Sequence, residues 1–283
     1  MTDFEFYQTT KTLLEQMANL KGITPSQLEQ YYSHTDQYCH FYSDLSGIPR
    51  IFAQMIFHMQ NATMMSNIVK FNANYTFLKN ITCNFEAKDF LNRYTNKATR
   101  IRELVEDLRW NSATNTGLKW DSTNSGKPDF MAKRLAQSMF ECAEYLTNFN
   151  THEEVLDDLK SHATNSKSLI AYFNSKIKTG FSVALTCDFL KEFDTYFEFL
   201  PKPDVHIKDV VSALKTKNYK YDIDLVTEVQ DITKNINLEL TQKGEQEITV
   251  YQLDRMIWLV CTNNFFIPGH PNGTIKQVYI SKL

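Results

Sequence analysis

Residues 166–193 read SKSLIAYFNSKIKTGFSVALTCDFLKEF, and this stretch decides the predicted fold. It predicts one helix (SKSLIAYFNSKI), a tight turn at Lys178-Thr179-Gly180 and a second helix (SVALTCDFLKEF). Residues 160–181, which include the turn, contain four lysines and no acidic residue. A local positive surface is one interpretation of this pattern, and a solvated lysine face beside a helical turn is the other.

Few residues of the chain interrupt regular structure. Its 283 residues include 8 Gly and 7 Pro, fewer than a β-sandwich or a doubly wound α/β protein of this length needs for its turns. With 42% hydrophobic and 22% charged residues, the chain is expected to fold around a sizeable core. We therefore predict an all-α protein.

Periodic stretches predict helices along most of the chain. They cover 4–20, a segment capped by Thr24, 50–61, 64–77, 87–108 (as one or two helices), 129–149, 151–160, 207–215, 222–240 and 249–262. Residues 111–129 are expected to form an exposed loop, and residues 265–283 an irregular tail.

Composition also narrows the compartment and the partners. Five scattered cysteines without a CxxC pair fit reduced thiols in a cytoplasmic protein, and neither disulfides nor a metal site is expected. The sequence shows no signal-peptide pattern and no run of about 18 apolar residues, so no membrane partner is expected. A net charge of −3 argues against a protein that coats DNA but permits a DNA enzyme with one basic surface. We expect a monomer without a cofactor.

The segment LPKPDVH (200–206) follows the second helix of the hairpin. Its two prolines favour an extended approach, which places Asp204 where it can cap the helix that follows. Taken alone, Asp204 is explained by capping and His206 by a structural role. Their distance from the hairpin gives both residues a second interpretation.

A hairpin followed about twenty residues later by Pro-Asp-x-His resembles the helix-hairpin-helix DNA glycosylase superfamily. Gly180 and Ala184 match the second glycine and the alanine of the family hairpin, whose main-chain N–H groups grip the DNA backbone. Asp204 matches the catalytic aspartate and His206 the histidine of its motif. The resemblance implies two helical lobes, residues 1–50 with 205–283 and residues 51–204, with a DNA-binding cleft between them and the helix-hairpin-helix at about 166–193.

Further segments extend the resemblance. FHMQNATMM (57–65) puts Gln60 or Asn61 where family members wedge a side chain into the base stack, although both could be polar residues at a helix end. MAKRL (131–135) resembles the helix that precedes the hairpin, and LDRMIWLVCTN (253–263) the closing helix of some members. The residues that the resemblance assigns to DNA binding are Gln60, Asn61, Lys176, Lys178, Thr179, Gly180, Ser182 and His206.

The chain departs from the family pattern at informative positions. Lys178 replaces the first hairpin glycine, and Asp209 stands where an arginine is usual. Ser182 occupies the position of the lysine that bifunctional members use for a Schiff base; a hydroxyl cannot form an imine, so the resemblance implies a monofunctional enzyme. The C-terminal helices are followed by no closely spaced cysteine quartet, which excludes the iron–sulfur branch.

The chain also resembles a divergent bacterial group associated with phage defence, whose members excise bulky modified cytosines such as glucosylated hydroxymethylcytosine. The expected partner is then double-stranded DNA that carries such a base. Candidate pocket residues are Tyr31, Tyr32, His34, Asp36, Tyr38 and Trp258. Three alternatives stay open: a repair glycosylase for alkylated or oxidised bases, a non-catalytic DNA-binding module on the same scaffold, and a helical protein-interaction scaffold in which Pro-Asp-Val-His is accidental.

Overall fold

The computed structural model describes residues 1–33, 43–61, 66–120, 128–265 and 275–283. Across these ranges the secondary structure is helical, which confirms the all-α prediction. No β-strand occurs in them, and two isolated β-bridges, Arg109–Leu118 and Asn111–Thr116, close the turn after α7.

Fifteen α-helices lie in the described ranges. In chain order they are α1 (Asp3–Leu20), α2 (Pro25–Tyr32), α3 (Gly47–Met59), α4 (Ser66–Val69), α5 (Tyr75–Ile81), α6 (Ala87–Arg93), α7 (Arg100–Leu108), α8 (Pro128–Leu146), α9 (His152–Ser161), α10 (Ser166–Lys176), α11 (Val183–Phe193), α12 (Val205–Lys215), α13 (Asp222–Gln242), α14 (Val250–Thr262) and α15 (Lys276–Ile280). A short 3₁₀ helix, Thr195–Phe197, lies between α11 and α12.

Contacts divide the chain into two compact units. Unit 1 comprises Met1–Asp36 with Leu190–Leu283, and unit 2 comprises Gln37–Phe189. The sequence placed the boundaries later, at 50 and 204, so Asp204 and the segment before it fall in unit 1 rather than at the end of the central lobe. The reason is a set of buried contacts between residues 190–204 and α14, described below.

In unit 1, α14 is the central helix. It packs against α1, α2, α12, α13 and α15, and its residues Leu253, Ile257 and Val260 are fully buried. In unit 2, α8 has the corresponding position, since it packs against α3, α6, α7 and α10. Phe140 of α8 stacks on Phe90 at a centroid distance of 5.0 Å.

Local sequence explains where several helices begin. Thr24 caps α2 ahead of Pro25 by accepting the N–H of Gln27, as the sequence predicted, and the Gln27 side chain completes a capping box. Thr151 likewise caps α9 by accepting the N–H of Glu154.

Two predicted elements are wrong. The single helix expected over 64–77 is two, α4 and α5, because Lys70 adopts a left-handed φ of 42° and the Asn74 amide donates to the Val69 carbonyl. The irregular tail contains helix α15, which is ordered by burial of Tyr279 and by a hydrogen bond between its hydroxyl and that of Thr10.

Candidate active site

Asp204 caps α12 from an extended backbone, with ψ at −179°. Its Oδ1 accepts the backbone N–H of His206 at 2.8 Å and that of Ile207 at 3.1 Å. Its second oxygen, Oδ2, has no hydrogen-bond partner among the described residues. The half-buried carboxylate therefore keeps one oxygen fixed by the helix and the other available to a ligand.

A second carboxylate acts on this site from α14. Asp254 is buried, and its Oδ2 accepts from Lys191 Nζ at 2.5 Å and from the backbone N–H of Lys202 at 3.1 Å. Both side chains of the Lys191–Asp254 ion pair are only 4% exposed. The pair therefore ties the end of α11 and the segment before Asp204 to the central helix of unit 1.

The pKa of Asp204 lies above its ordinary value of 3.8. Burial is the main cause, and the negative charge of Asp254 adds to it. The backbone hydrogen bond from Ile207 and the charges of Lys202 and His206 act in the opposite direction. A raised pKa makes the carboxylate a stronger base than an exposed aspartate.

His206 lies beside this carboxylate on the first turn of α12. It is half-buried, and its Nδ1 is buried without a hydrogen-bond partner among the described residues. Val205, between the two residues, is 59% exposed. The start of α12 therefore reaches solvent next to two unsatisfied polar atoms.

In unit 2, α10 and α11 are joined by the short segment that contains Gly180. Gly180 has a φ of +90°, and a Cβ placed on it would lie 2.3 Å from Ser138 Oγ and 3.2 Å from Met59 Sδ. Glycine is required here by both the backbone conformation and the close approach to α8. The side chains of Thr186 and Asn174 link the two helices with a hydrogen bond of 2.7 Å.

The hairpin residues that the sequence assigned to DNA have different surroundings. Lys176 and Lys178 are both exposed, and the Lys176 ammonium lies 5.0 Å from the centroid of the Tyr172 ring. Thr179 directs its backbone N–H to Glu141 Oε2 at 2.7 Å. Ser182 caps α11 through the N–H of Leu185 at 3.3 Å.

Gln60 and Asn61 directly follow the last residue of α3, and their side chains differ in exposure. Gln60 is 7% exposed and its Oε1 accepts the N–H of Phe71 at 2.9 Å, so its side chain holds the following turn. Asn61 is exposed. Of the two residues that the resemblance offers as a wedge, Asn61 is the one with an exposed side chain.

The described pocket candidates all lie in unit 1. Tyr31 and Tyr32 are half-buried against the core, and Tyr31 meets Phe265 edge-on at 5.6 Å. The ring of Trp258 has the Arg255 guanidinium 4.9 Å from its centroid. His34, Asp36 and Tyr38 lie outside the described residues.

Sequence reasoning did not single out Lys191, which is buried beside Asp254, or the Lys133 and Arg134 side chains, which line a cavity. Lys191 carries no sequence signal, since a lysine on an amphipathic helix ordinarily faces solvent. Lys133 and Arg134 were noted as part of a family-like helix, but their place beside Lys178 depends on how the hairpin packs against α8. A surface cavity of about 370 Å³ is lined by these three cations with Ile101, Phe130, Gln137 and Thr179.

The described residues contain neither a cluster of metal-ligating side chains nor a helix that could span a membrane. No group of His, Cys, Asp and Glu side chains in them is arranged to hold a metal ion. No helix in the same part of the chain has the length and apolar character needed to cross a membrane.

The fold and the site define an all-helical protein. The half-buried carboxylate of Asp204 caps one helix, and a buried ion pair lies beside it. Compared with known proteins, the chain matches no family model, no curated protein and no solved structure. The family resemblance therefore depends on the residues of this chain alone.

Proposed function

We propose that the chain is a monofunctional DNA glycosylase, which flips a modified base out of double-stranded DNA, hydrolyses its N-glycosidic bond and leaves an abasic site. One observation carries the proposal. Asp204 has one carboxylate oxygen fixed by two backbone N–H groups and the other without a partner among the described residues.

Breaking an N-glycosidic bond builds positive, oxocarbenium-like charge on the sugar. A carboxylate beside the anomeric carbon stabilises this charge electrostatically and can take a proton from the attacking water. Asp204 suits both tasks, because the α12 N-terminus orients Oδ1 while Oδ2 is available to sugar or water. Its raised pKa favours proton transfer from water once the group is ionised.

The surroundings of the lysines support a monofunctional reaction. Ser182, at the position of the family's Schiff-base lysine, uses its hydroxyl to cap α11. The buried amine in unit 1, that of Lys191, is bound by Asp254. An imine needs an uncharged amine that can reach the sugar, and neither of these two positions supplies one, which supports hydrolysis with Asp204 as the acting carboxylate.

A DNA partner is supported by charge in unit 2. Lys133, Arg134 and Lys178 line one cavity, and no acidic residue lines it with them. None of the three cations forms an ion pair with a described residue, and Phe130 beside them is 60% exposed. Cations without acidic partners on a chain of net charge −3 suit the phosphate backbone better than a protein surface of mixed charge.

For the base itself we propose a bulky modified cytosine of phage DNA, such as glucosylated hydroxymethylcytosine. A large polar adduct needs an open, partly polar pocket, and half-buried Tyr31, Tyr32 and Trp258 supply aromatic surface in the same unit as Asp204. Alkylated or oxidised bases of ordinary repair are the alternative substrates.

A second candidate function is a non-catalytic DNA-binding module. It is favoured by the fact that helix capping accounts for both hydrogen bonds of Asp204. The cationic surface of unit 2 would serve such a module equally well.

The test is incubation with duplexes that carry unmodified, alkylated, oxidised, hydroxymethylated or glucosylated bases, with mass spectrometry of released bases. Asp204→Asn keeps an oxygen that can cap α12 but lacks the charge. We expect wild-type protein to release one class of base and Asp204→Asn to lose at least about a hundredfold in rate.

Asp194→Asn is the matched control, because Asp194 caps the 3₁₀ helix of the same unit through the Tyr196 N–H. It should keep the wild-type rate. Full activity of folded Asp204→Asn would remove Asp204 from the mechanism, and salt-sensitive binding without base release from any duplex would support the non-catalytic module.

A further inference from the structure

The Lys191–Asp254 ion pair is almost completely buried. Each side chain is 4% exposed, and desolvating two charges costs several kcal/mol that their attraction offsets only in part. Apolar residues of similar volume usually serve stability at least as well. What distinguishes this pair is its second bond, from the N–H of Lys202 to Asp254.

That bond fixes the backbone two residues before Asp204. Lys202 lies between Pro201 and Pro203, whose rings fix φ, so anchoring its N–H also restricts the approach to α12. The N–H of Asp204 in turn donates to the Lys202 carbonyl at 2.7 Å. Asp254 is thereby connected to Asp204 through one residue of stiff backbone.

We propose that Asp254, paired with Lys191, is a positioning residue for Asp204: it anchors the backbone before Asp204 and places a second negative charge beside its carboxylate. The inference rests on the proposed function for its effect on base release. The effects of Asp254 on the backbone before Asp204 and on the titration of Asp204 do not depend on that function.

Several other charged or titratable side chains lie near Asp204 or on the helices that pack against α12. Lys202 and His206 act on it from its own segment, and buried Cys261 of α14 also lies within electrostatic range. From α15, Lys276 pairs with Asp209 of α12 at 2.7 Å. On α13, Glu228 pairs with Lys215 at the C-terminal end of α12 and with Lys217 just after it.

The two parts of the proposal can be separated by paired variants. Lys191→Met with Asp254→Asn removes both charges and keeps an amide oxygen for the Lys202 N–H. Lys191→Met with Asp254→Leu removes the charges and the anchor. Neither double variant leaves a buried charge unpaired, so both are expected to fold.

The charge is tested by following the carboxyl carbon of Asp204 by NMR as pH is varied. Asp204 should titrate at lower pH in Lys191→Met/Asp254→Asn than in wild type. In Asp254→Asn alone it should titrate lower still, because the Lys191 ammonium is no longer neutralised. If base release is observed, the pH below which its rate falls should decrease in the same order, from wild type through the double variant to Asp254→Asn.

The anchor is tested by hydrogen exchange at the Lys202 amide. We expect exchange about tenfold faster in Lys191→Met/Asp254→Leu than in wild type or in the Asn double variant, and a lower kcat with little change in KM. Lys217→Met with Glu228→Gln removes a charge pair just beyond the C-terminal end of α12, and should change neither the Asp204 titration nor the Lys202 exchange rate.

An unchanged titration of Asp204 in Lys191→Met/Asp254→Asn would overturn the charge effect. An unchanged Lys202 exchange rate in the Leu double variant would overturn the anchor. If the wild-type protein releases no base from any duplex, the proposed function is refuted. The Asp204 titration and the Lys202 exchange rate still decide the role of Asp254 in that case.

Discussion

Thr179 donates its backbone N–H to the Glu141 carboxylate at 2.7 Å, and its hydroxyl donates to the same carboxylate at 3.2 Å. Gln137 completes the arrangement, since its amide donates to Glu141 Oε1 at 2.8 Å. A hairpin N–H that the family resemblance assigns to a DNA phosphate is thus bound by a carboxylate of the same chain. Glu141 thus binds Thr179, the residue that follows Lys178, with a negatively charged carboxylate.

Removing this charge should strengthen DNA binding. In Glu141→Gln the amide oxygen can still accept the Thr179 N–H, but the repulsion between Glu141 and phosphate is lost. We expect about two- to fivefold tighter binding to a duplex at low salt, measured by fluorescence anisotropy. Glu144→Gln makes the same change on α8 at a residue paired with Arg100, and should leave affinity within twofold of wild type. Equal affinity of Glu141→Gln and wild type would mean that DNA does not approach this turn.

The cationic surface should appear in the salt dependence of binding. Replacing Lys133 or Lys178 with Gln should each reduce the slope of log K against log salt by about 1, because one phosphate contact is lost. Lys88→Gln, at an exposed lysine elsewhere in unit 2, is the control. If both variants keep the wild-type slope, DNA does not contact Lys133 or Lys178.

Gly180 should tolerate no side chain. Gly180→Ala combines a left-handed φ of +90° with a Cβ 2.3 Å from Ser138 Oγ, so we expect a loss of about 2–4 kcal/mol in the free energy of unfolding. Gly244→Ala is the matched control, because φ is +69° there and nothing lies within 4 Å. It should lose only the backbone part, about 1 kcal/mol. Urea unfolding measures the loss in each variant, and the difference between the two losses is the effect of the close contact with α8. Equal losses would show that this contact has no effect.

Asp204→Asn should be more stable than wild type at neutral pH. The folded pKa of Asp204 is raised above 3.8, so the unfolded chain loses this proton first. Stability is therefore lost as pH rises from 3.8 through the folded pKa, and Asn has no such loss. We expect the variant to melt at a higher temperature at pH 8, with the difference shrinking as pH falls toward 4. A difference independent of pH, or a less stable variant at pH 8, would contradict the raised pKa.

Much of the site's local geometry could be read from the sequence. Thr24, Thr151 and Asp204 cap helices through atoms two or three residues away, and such bonds depend on the nearby chain alone. The paired prolines before Asp204 fix an extended approach for the same reason.

Contacts between distant segments could not be predicted. Gln60 reads as a polar residue at a helix end, yet it is buried because its amide oxygen satisfies the N–H of Phe71. The tail was expected to be irregular, but the bond between Tyr279 and Thr10 joins residues at opposite ends of the chain. Periodicity cannot indicate such partners, since it describes one element at a time.

For this protein the sequence by itself determined the helical class, the turn at Gly180 and the position of Asp204 at the start of a helix, because spacing and residue type control them locally. The tertiary structure alone decided that Asp254 lies beside Asp204 with Lys191 as its buried partner, and that Glu141 binds the hairpin. These pairings depend on which helices pack together, and burial then makes each charge act strongly on its neighbours.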